Sequence, residues 1–480
     1  YAFYKKNEKK VYISRDRFGI KPLYYAKTNK FPFVFSSELS TFQSKEFETN
    51  IISKKEIESF IYFGGFTNSS HPIAGVKKVQ PGSYIEFDIS SMRLVNSICN
   101  NDLAKVPDKN KSFKDVFKDV VNDHLDADTN VDILLSGGID SSLLALVTKH
   151  ELDKNVRTFS LGFDNEVFDE SSKSLFIAKK LNFEHEHIIF KQNEINEIID
   201  EFLSSTSEPI GDPSIIPSFY LYKNVSKHTK AVLSGDGADE MFLGYEWHKA
   251  AIIQKNKILN GILNMRFLGN LFNLSLRNSD KYYKYYKFFQ TIDRDLFTQI
   301  LFWQNINIDE HKQEFLYQKL IYEIDFDDNS FYNNLKKLDL TFYLATNILP
   351  KADIGSMLNG LEVRPPYLDE RILQYSFNNK VKRSLFKHFT YSKHELRDLL
   401  KIYTNKKFSK QSKQGFSPNF ENWDKGSAIE LISKYSKDFQ IVNKFLELHK
   451  LGDMSYFNTR ELWKFYAIFH WIENKKLIID

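Results

Sequence analysis

A chain of 480 residues, at roughly 150 per domain, holds about three folding units, or two with one enlarged. With 42% hydrophobic and 27% charged residues it has a globular composition, which excludes disorder as its main state. Its net charge of +4 gives no electrostatic ground for nucleic acid or an anionic membrane as partner. The single cysteine, Cys99, excludes an intramolecular disulfide and any Cys-rich metal cluster and fits a reducing cytoplasm, and no stretch approaches the ~18 apolar residues of a membrane span.

In chain order, the first ninety residues are a run of short strands. YAFYKK, KVYISRD, LYYAK, FPFVFSS and GSYIEFD are rich in Tyr, Phe, Val and Ile and bounded by Gly, Pro, Asn or Lys. One helix is predicted among them, from Ser53 to Phe63, with Ser53 as N-cap and Glu56 as its capping-box partner. The opening YAFYKKNEKK has no apolar core of a signal peptide and is already strand-like without an initiator Met, so a longer N-terminal region is expected upstream. Residues 1–90 are assigned to a β-rich domain, and the polar, aperiodic 91–112 to a linker.

From residue 113 strands and helices alternate. A helix (113–123) precedes the apolar strand VDILL, then come SSLLALVTKHEL, VRTFSLGF, SSKSLFIAKKL, HEHIIF, a helix from Glu194, and the strand KAVLSG. This spacing predicts a doubly wound parallel sheet, hence an α/β fold, with a helical extension beyond Tyr245 completing a unit of 113–480.

Two Gly-rich turns close strands of that sheet. The first, Leu134-Leu135-Ser136-Gly137-Gly138-Ile139-Asp140-Ser141-Ser142, joins an apolar strand to a helix N-terminus. Adjacent glycines let backbone amides turn toward phosphate oxygens, the serine hydroxyls add donors, and Asp140 meets an anion only through a metal such as Mg²⁺. The turn lacks the Lys of GxxxxGK[ST], so it is not the kinase or GTPase phosphate loop. The second, Leu233-Ser234-Gly235-Asp236-Gly237-Ala238-Asp239-Glu240, precedes Gly244-Tyr245; parallel strands place both turns on one carboxyl edge, where α/β folds bind ligands. Its three acids offer metal coordination and a base, or else a solvated cap of the next helix.

SGGIDSS, FDES, LSGDGADE with GY, LEVRPPYLD and SKQGFSP, in this order, resemble the motifs of the asparagine synthetase family, whose synthetase half is an ATP-pyrophosphatase of the PP-loop type. SRDRFGIKPLYY and FSSEL (residues 14–25 and 35–39) are similar to the end of that family's N-terminal-nucleophile glutaminase domain, so the likeness spans the chain. It implies that ATP is held by Ser136, Gly137, Gly138, Asp140, Ser141 and Ser142, with Leu134, Leu161, Ser234 and Gly235 lining the nucleotide pocket. Asp140 and Asp239 would hold Mg²⁺, Lys413 would reach the phosphates and the acyl-adenylate, and Asp236 and Glu240 would serve the chemical step. The implied reaction adenylates a carboxylate, aspartate or another acid, and ammonia from glutamine displaces AMP; a homodimer is a further expectation.

Three departures from the family pattern stand out. Asp236 replaces the Glu of asparagine-forming members; either the pocket has closed up, or it holds an acceptor larger than aspartate, such as a sugar acid. Ile354 replaces an Arg that many relatives carry after Asp353, with Lys351 retained. The family's glutaminase uses a first-residue Cys as nucleophile, whereas this chain begins with Tyr1, so the chain as given is expected to use ammonia. His185-Glu186-His187 has no third ligand nearby and is assigned a structural role, Glu208 and Asp212 a loop that serves as cap or acceptor contact, and Glu362 with Arg364 a packed ion pair. KYYKYYK is read as a solvated helix face. A PP-loop tRNA-modifying enzyme would need a basic face or a thiolation Cys, which the sequence lacks, and a non-catalytic nucleotide-binding scaffold would not need Asp140, Asp239, Glu240 and Lys413.

Overall fold

The computed structural model describes residues 1–28, 30–43, 47, 50–99, 111–164, 171–255, 287–289, 291, 296–303, 330–377, 392–404, 408, 420, 422–450 and 456–480. Lys413, most of FDES and most of KYYKYYK lie outside them. The N-terminal strands are β1 (Ala2–Lys5), β2 (Lys10–Ser14), β3 (Tyr24–Ala26), β4 (Val34–Ser36), β5 (Ile51–Ile52), β6 (Val76–Lys78), β7 (Ser83–Asp88) and β8 (Arg93–Cys99). They form an antiparallel sheet in the order β1-β2-β7-β8 and a smaller one, β4-β3-β6. β8 occupies the start of the segment expected to be a linker. An edge strand has one neighbour, so it does not need the alternating pattern that marks a half-buried strand, and β8 pairs with β7 through a register shift at Glu86/Phe87. The helix Lys54–Phe63 begins as expected, with the Glu56 amide donating to Ser53 Oγ at 3.3 Å.

The second unit is built on five parallel strands, β9 (Val131–Leu134), β10 (Thr158–Phe163), β11 (His185–Phe190), β12 (Ala231–Leu233) and β13 (Glu362–Arg364), in the order β11-β10-β9-β12-β13. The order reverses between β9 and β12, so the two Gly-rich turns leave neighbouring strands at the switch point of the sheet. β13 arises within the half expected to be helical. At three residues, followed by Pro365 and Pro366, it is too short for a periodic signal and sits at the edge, where a proline costs no ladder bond. Arg364 Nε donates to Glu362 Oε1 at 2.9 Å, so the expected pair forms, but on an exposed Glu362 rather than packed, and Arg364 Nη1 also holds the His124 carbonyl.

The two units share their core. One apolar cluster runs from Tyr24, Phe60 and Val76 through Phe202, Ile215 and Phe219 to Trp463 and Trp471 of the helix Tyr456–Asn474. Polar groups stitch the same boundary. Lys78 Nζ lies 3.1 Å from Glu208 Oε2, with both side chains 6% exposed, and Tyr24 Oη donates to Glu208. Trp463 and Trp471 donate to the carbonyls of Ile210 and Ser207, and β14 (Ile478–Ile479) pairs with β5. The loop 206–214 is therefore held from both sides. A long helical run, Phe331–Met357, widens to π geometry over Asp339–Ile348. Pro350 lacks the amide that would bond the Thr346 carbonyl, and Gly65 of the N-terminal unit packs so close to that carbonyl that a Cβ would lie 2.0 Å from its oxygen.

Candidate active site

The first turn is ordered by its own hydroxyls. The Ser136 amide donates to Ser141 Oγ at 3.1 Å and the Gly138 amide to Ser136 Oγ at 3.3 Å. Gly137 has φ +77°, and a Cβ there would meet the Lys173 Cβ at 2.6 Å and the Ser174 amide nitrogen at 2.7 Å, so this position requires glycine on both counts. The helix Ile139–His150 starts at the turn with no side chain capping Gly138, which leaves its first amides for an anion. Ser136 and Gly138 are exposed, whereas Ser141 and Ser142 are 5% and 0% exposed. Ser141 thus shapes the turn, Ser142 is buried beneath it, and a ligand meets Ser136 and the Gly138 edge. Leu134, at the end of β9, and Leu161, within β10, are partly buried against the cluster containing Phe159 and Val232.

The second turn packs directly on the first: a Cβ on Gly235 would lie 3.0 Å from that of Asp140. This proximity brings Asp140 and Asp239 together on a residue that sequence reading missed. Lys393 Nζ lies 2.7 Å from Asp140 Oδ2 and 2.7 Å from Asp239 Oδ1. Its side chain is 4% exposed, and its φ of +58° is a strained setting for a non-glycine residue. Burial works against the ammonium, but Asp140 and then Asp239 outweigh it and raise its pKa. Gly244 leaves the space, since a Cβ there would sit 2.2 Å from Lys393 Cε. No pattern in the sequence marks Lys393, because it precedes its helix, His394–Tyr403, and meets its carboxylates only through the fold.

Two carboxylates converging on one cationic position are a hard, anionic oxygen set of the kind Mg²⁺ takes when phosphate oxygens complete its shell. Among the described residues no cluster of three or more His, Cys, Asp or Glu could hold a metal, so Asp140 and Asp239 would need ligand oxygens to complete a shell.

Asp236 accepts from Ser234 Oγ at 2.8 Å and lines a small cavity with Leu349, Ala352, Asp353, Val363, Pro365 and Ile20 of the N-terminal unit. Lys21 of that unit pairs with Asp353 at 2.6 Å. Glu240 points elsewhere: it is 1% exposed and accepts from Tyr245 Oη at 2.6 Å. Burial and then Asp239 push its pKa from 4.5 up to about 8. The folded state therefore holds a proton between these values that the unfolded state has lost. The stability this supplies is complete below about pH 4.5 and is lost as pH rises through 8. Glu240→Gln, which keeps an acceptor for Tyr245, should flatten the fall in unfolding free energy between pH 5 and 8; an unchanged slope in denaturant titrations would show that another group carries it.

Ile354 is 8% exposed within the apolar cluster around Ile215 and Phe219, so its side chain packs into the core behind the helix. His185 and His187 both bond Ser160 Oγ, and burial lowers His185 to about 4, in keeping with the structural role expected. No helix among the described residues is long and apolar enough to cross a membrane.

Comparison with known proteins agrees with this geometry. The family model described as asparagine synthase matches residues 112–472, and that of a glutamine amidotransferase domain matches residues 1–96. The chain is 26% identical to asparagine synthetase [glutamine-hydrolyzing] 1 of Bacillus subtilis (strain 168), over 99% of this chain and 77% of the relative. It is 30% identical to putative asparagine synthetase [glutamine-hydrolyzing] 2 of Methanocaldococcus jannaschii, over 75% of this chain and 72% of the relative. The Gly-rich turns at the switch point and the matched span agree: the chain belongs to the asparagine synthase family of ligases, with a PP-loop ATP-pyrophosphatase fold in its second unit.

Proposed function

We propose that the chain adenylates a carboxylic acid with ATP and that ammonia then displaces AMP to give an amide, with aspartate as the acceptor and asparagine as the product. The observation that carries this reading is the convergence of Asp140, Asp239 and Lys393 at the mouth of the Ser136–Ser142 turn. The exposed turn amides and the helix N-terminus receive the β- and γ-phosphates, while Lys393 balances the charge that builds as the acceptor oxygen attacks the α-phosphorus and pyrophosphate leaves. Mg²⁺ held by Asp140 and Asp239 would add charge neutralisation on the pyrophosphate. Lys413, on a segment outside the described residues, is assigned to the same phosphates. Ammonia attacks the acyl carbon, AMP departs with the mixed-anhydride oxygen, and a proton leaves the new amide; Asp236, at the cavity, takes the acceptor side of that step. Residues 1–99, whose sheet ends in β8, serve as the glutaminase-type part and 113–480 as the synthetase part, in a homodimer within the cytoplasm.

A second acceptor class, a sugar acid or another carboxylate, is favoured by one observation, the shorter acid at Asp236. A carboxylate retracted by about 1.5 Å alters rate by about a hundredfold when it must meet a proton in the transition state. With ammonia as nitrogen source, wild-type turnover of aspartate that Asp236→Glu weakens several-fold is the result expected of an asparagine-forming enzyme. Faster turnover of aspartate by Asp236→Glu, with wild type preferring a larger acid, would transfer the activity to the second class.

A further inference from the structure

Behind the contact between Lys393 and Asp239 lies a buried polar network that the chemical step does not use. The helix Ala238–Phe242 ends at Leu243, whose φ of +54° is strained for a non-glycine residue, and the Gly244 amide donates back to the Asp239 carbonyl at 2.8 Å. Gly244 is pressed against the pair, since a Cβ there would lie 1.8 Å from Asp239 Oδ1 and 2.2 Å from Lys393 Cε. The backbone of residues 243–245 is therefore one wall of the site. What holds that wall is Asp339, the first residue of the wide helical segment Asp339–Ile348. Trp247 Nε1 donates to its two carboxylate oxygens at 3.3 and 3.2 Å. His248 Nε2 lies 2.6 Å from Oδ2, within electrostatic reach though out of line for a hydrogen bond, and both side chains of this pair are 0% exposed. His248 Nδ1 accepts the Tyr245 amide at 3.3 Å, so the neutral ring carries its proton on Nε2, the nitrogen beside the carboxylate. Trp247 stacks on Tyr245 with 4.0 Å between ring centroids, and Tyr343 of the same wide segment packs edge-on against both rings.

We propose that Asp339 is a positioning residue for the Asp239–Lys393 contact: through His248 and Trp247 it fixes the wall 243–245 against that pair. A fully buried carboxylate is stable only beside its partners, and the partners of Asp339 lie just past the wall, so its charge sets where the chain runs on leaving Gly244. A wide helical turn re-aims side chains that a regular helix would direct elsewhere, which is how one segment presents Asp339 and Tyr343 to the same short stretch. The effect on the wall stands by itself; the effect on turnover rests on the adenylation reading above.

The test is a double-mutant cycle in folding stability, read by denaturant titration of the full chain without nucleotide or Mg²⁺, on Asp339→Asn, Asp239→Asn and the two together. With an amide at position 339 the ring of His248 is free to carry its proton on Nδ1, where it opposes the Tyr245 amide. Once the wall is released, loss of the Asp239 charge should matter less. The combined fall in the folding constant should therefore be smaller than the product of the single falls by at least about 5-fold, whereas independent sites multiply. In exchange of labelled pyrophosphate into ATP with aspartate as acceptor, Asp339→Asn should lower kcat about 10-fold while the KM for aspartate stays within about twofold, as when a contact made only in the transition state is lost. Trp247→Phe, which removes one donor to Asp339 and keeps an aromatic ring against Tyr245, should show the same pattern at smaller size, and it carries the test if Asp339→Asn does not fold. Independent stability losses, or a kcat that falls no further than the folded fraction, overturn the proposal alone. Wild type that binds ATP and exchanges pyrophosphate with no acid overturns the adenylation reading, and the stability cycle, which needs no reaction, still decides the place of Asp339.

Discussion

Lys393→Met is expected to lose about 3 to 5 kcal/mol of folding stability, the cost of leaving buried charges without their partner. The lysine is 4% exposed and 2.7 Å from each of Asp140 and Asp239, so its removal sets two carboxylates against one another in a site with little access to water. Addition of Mg²⁺ should return part of that loss in the variant, because the same two carboxylates then have a cation to share, and should shift wild type far less. Thermal unfolding with and without Mg²⁺ measures both effects. A variant as stable as wild type would show that the contact is incidental, and a variant that Mg²⁺ does not stabilise would remove this pair as a metal site.

Asp140→Asn should lower acceptor-dependent pyrophosphate exchange by about 10²-fold to 10³-fold, the scale on which loss of one preorganised electrostatic contact acts. The substitution preserves shape and leaves the backbone carbonyl of residue 140 free to accept from Tyr367 Oη, as it does at 3.0 Å in the wild-type chain. The fold is therefore retained while the negative charge that pairs with Lys393, and that would meet Mg²⁺, is gone. Unchanged exchange would remove Asp140 from the site. Equal loss of folding stability would assign its charge to structure instead.

The parts of the fold that sequence reveals are those with local causes. The alternation of apolar strands and amphipathic helices between residues 113 and 235 is period and capping, and the helix Ser171–Leu181 and the strand His185–Phe190 fall where the pattern puts them. Both Gly-rich turns are legible because glycines at positive φ mark the strand-to-helix junctions after β9 and β12. What sequence does not reveal is brought in from a distance. β13 is three residues beside two prolines, β8 is an edge strand of mixed polarity, and Lys393 meets partners 253 and 154 residues away along the chain. Glu240 stands in the sequence as one of three acids in a turn, and only the fold shows that it is buried against Tyr245. Ile354 likewise pointed toward the acceptor by position and turns inward by packing.

The central claim, that this site cleaves ATP between the α- and β-phosphates to drive amide formation, is tested most directly by the nucleotide products of the ammonia-dependent reaction. On the proposed reading, one AMP and one pyrophosphate are expected for each amide formed, with the Ser136–Ser142 turn, Lys393 and a Mg²⁺ on Asp140 and Asp239 placed to receive the departing pyrophosphate. Release of ADP and phosphate in step with the amide would mean that the terminal phosphate is transferred instead, and would contradict the account.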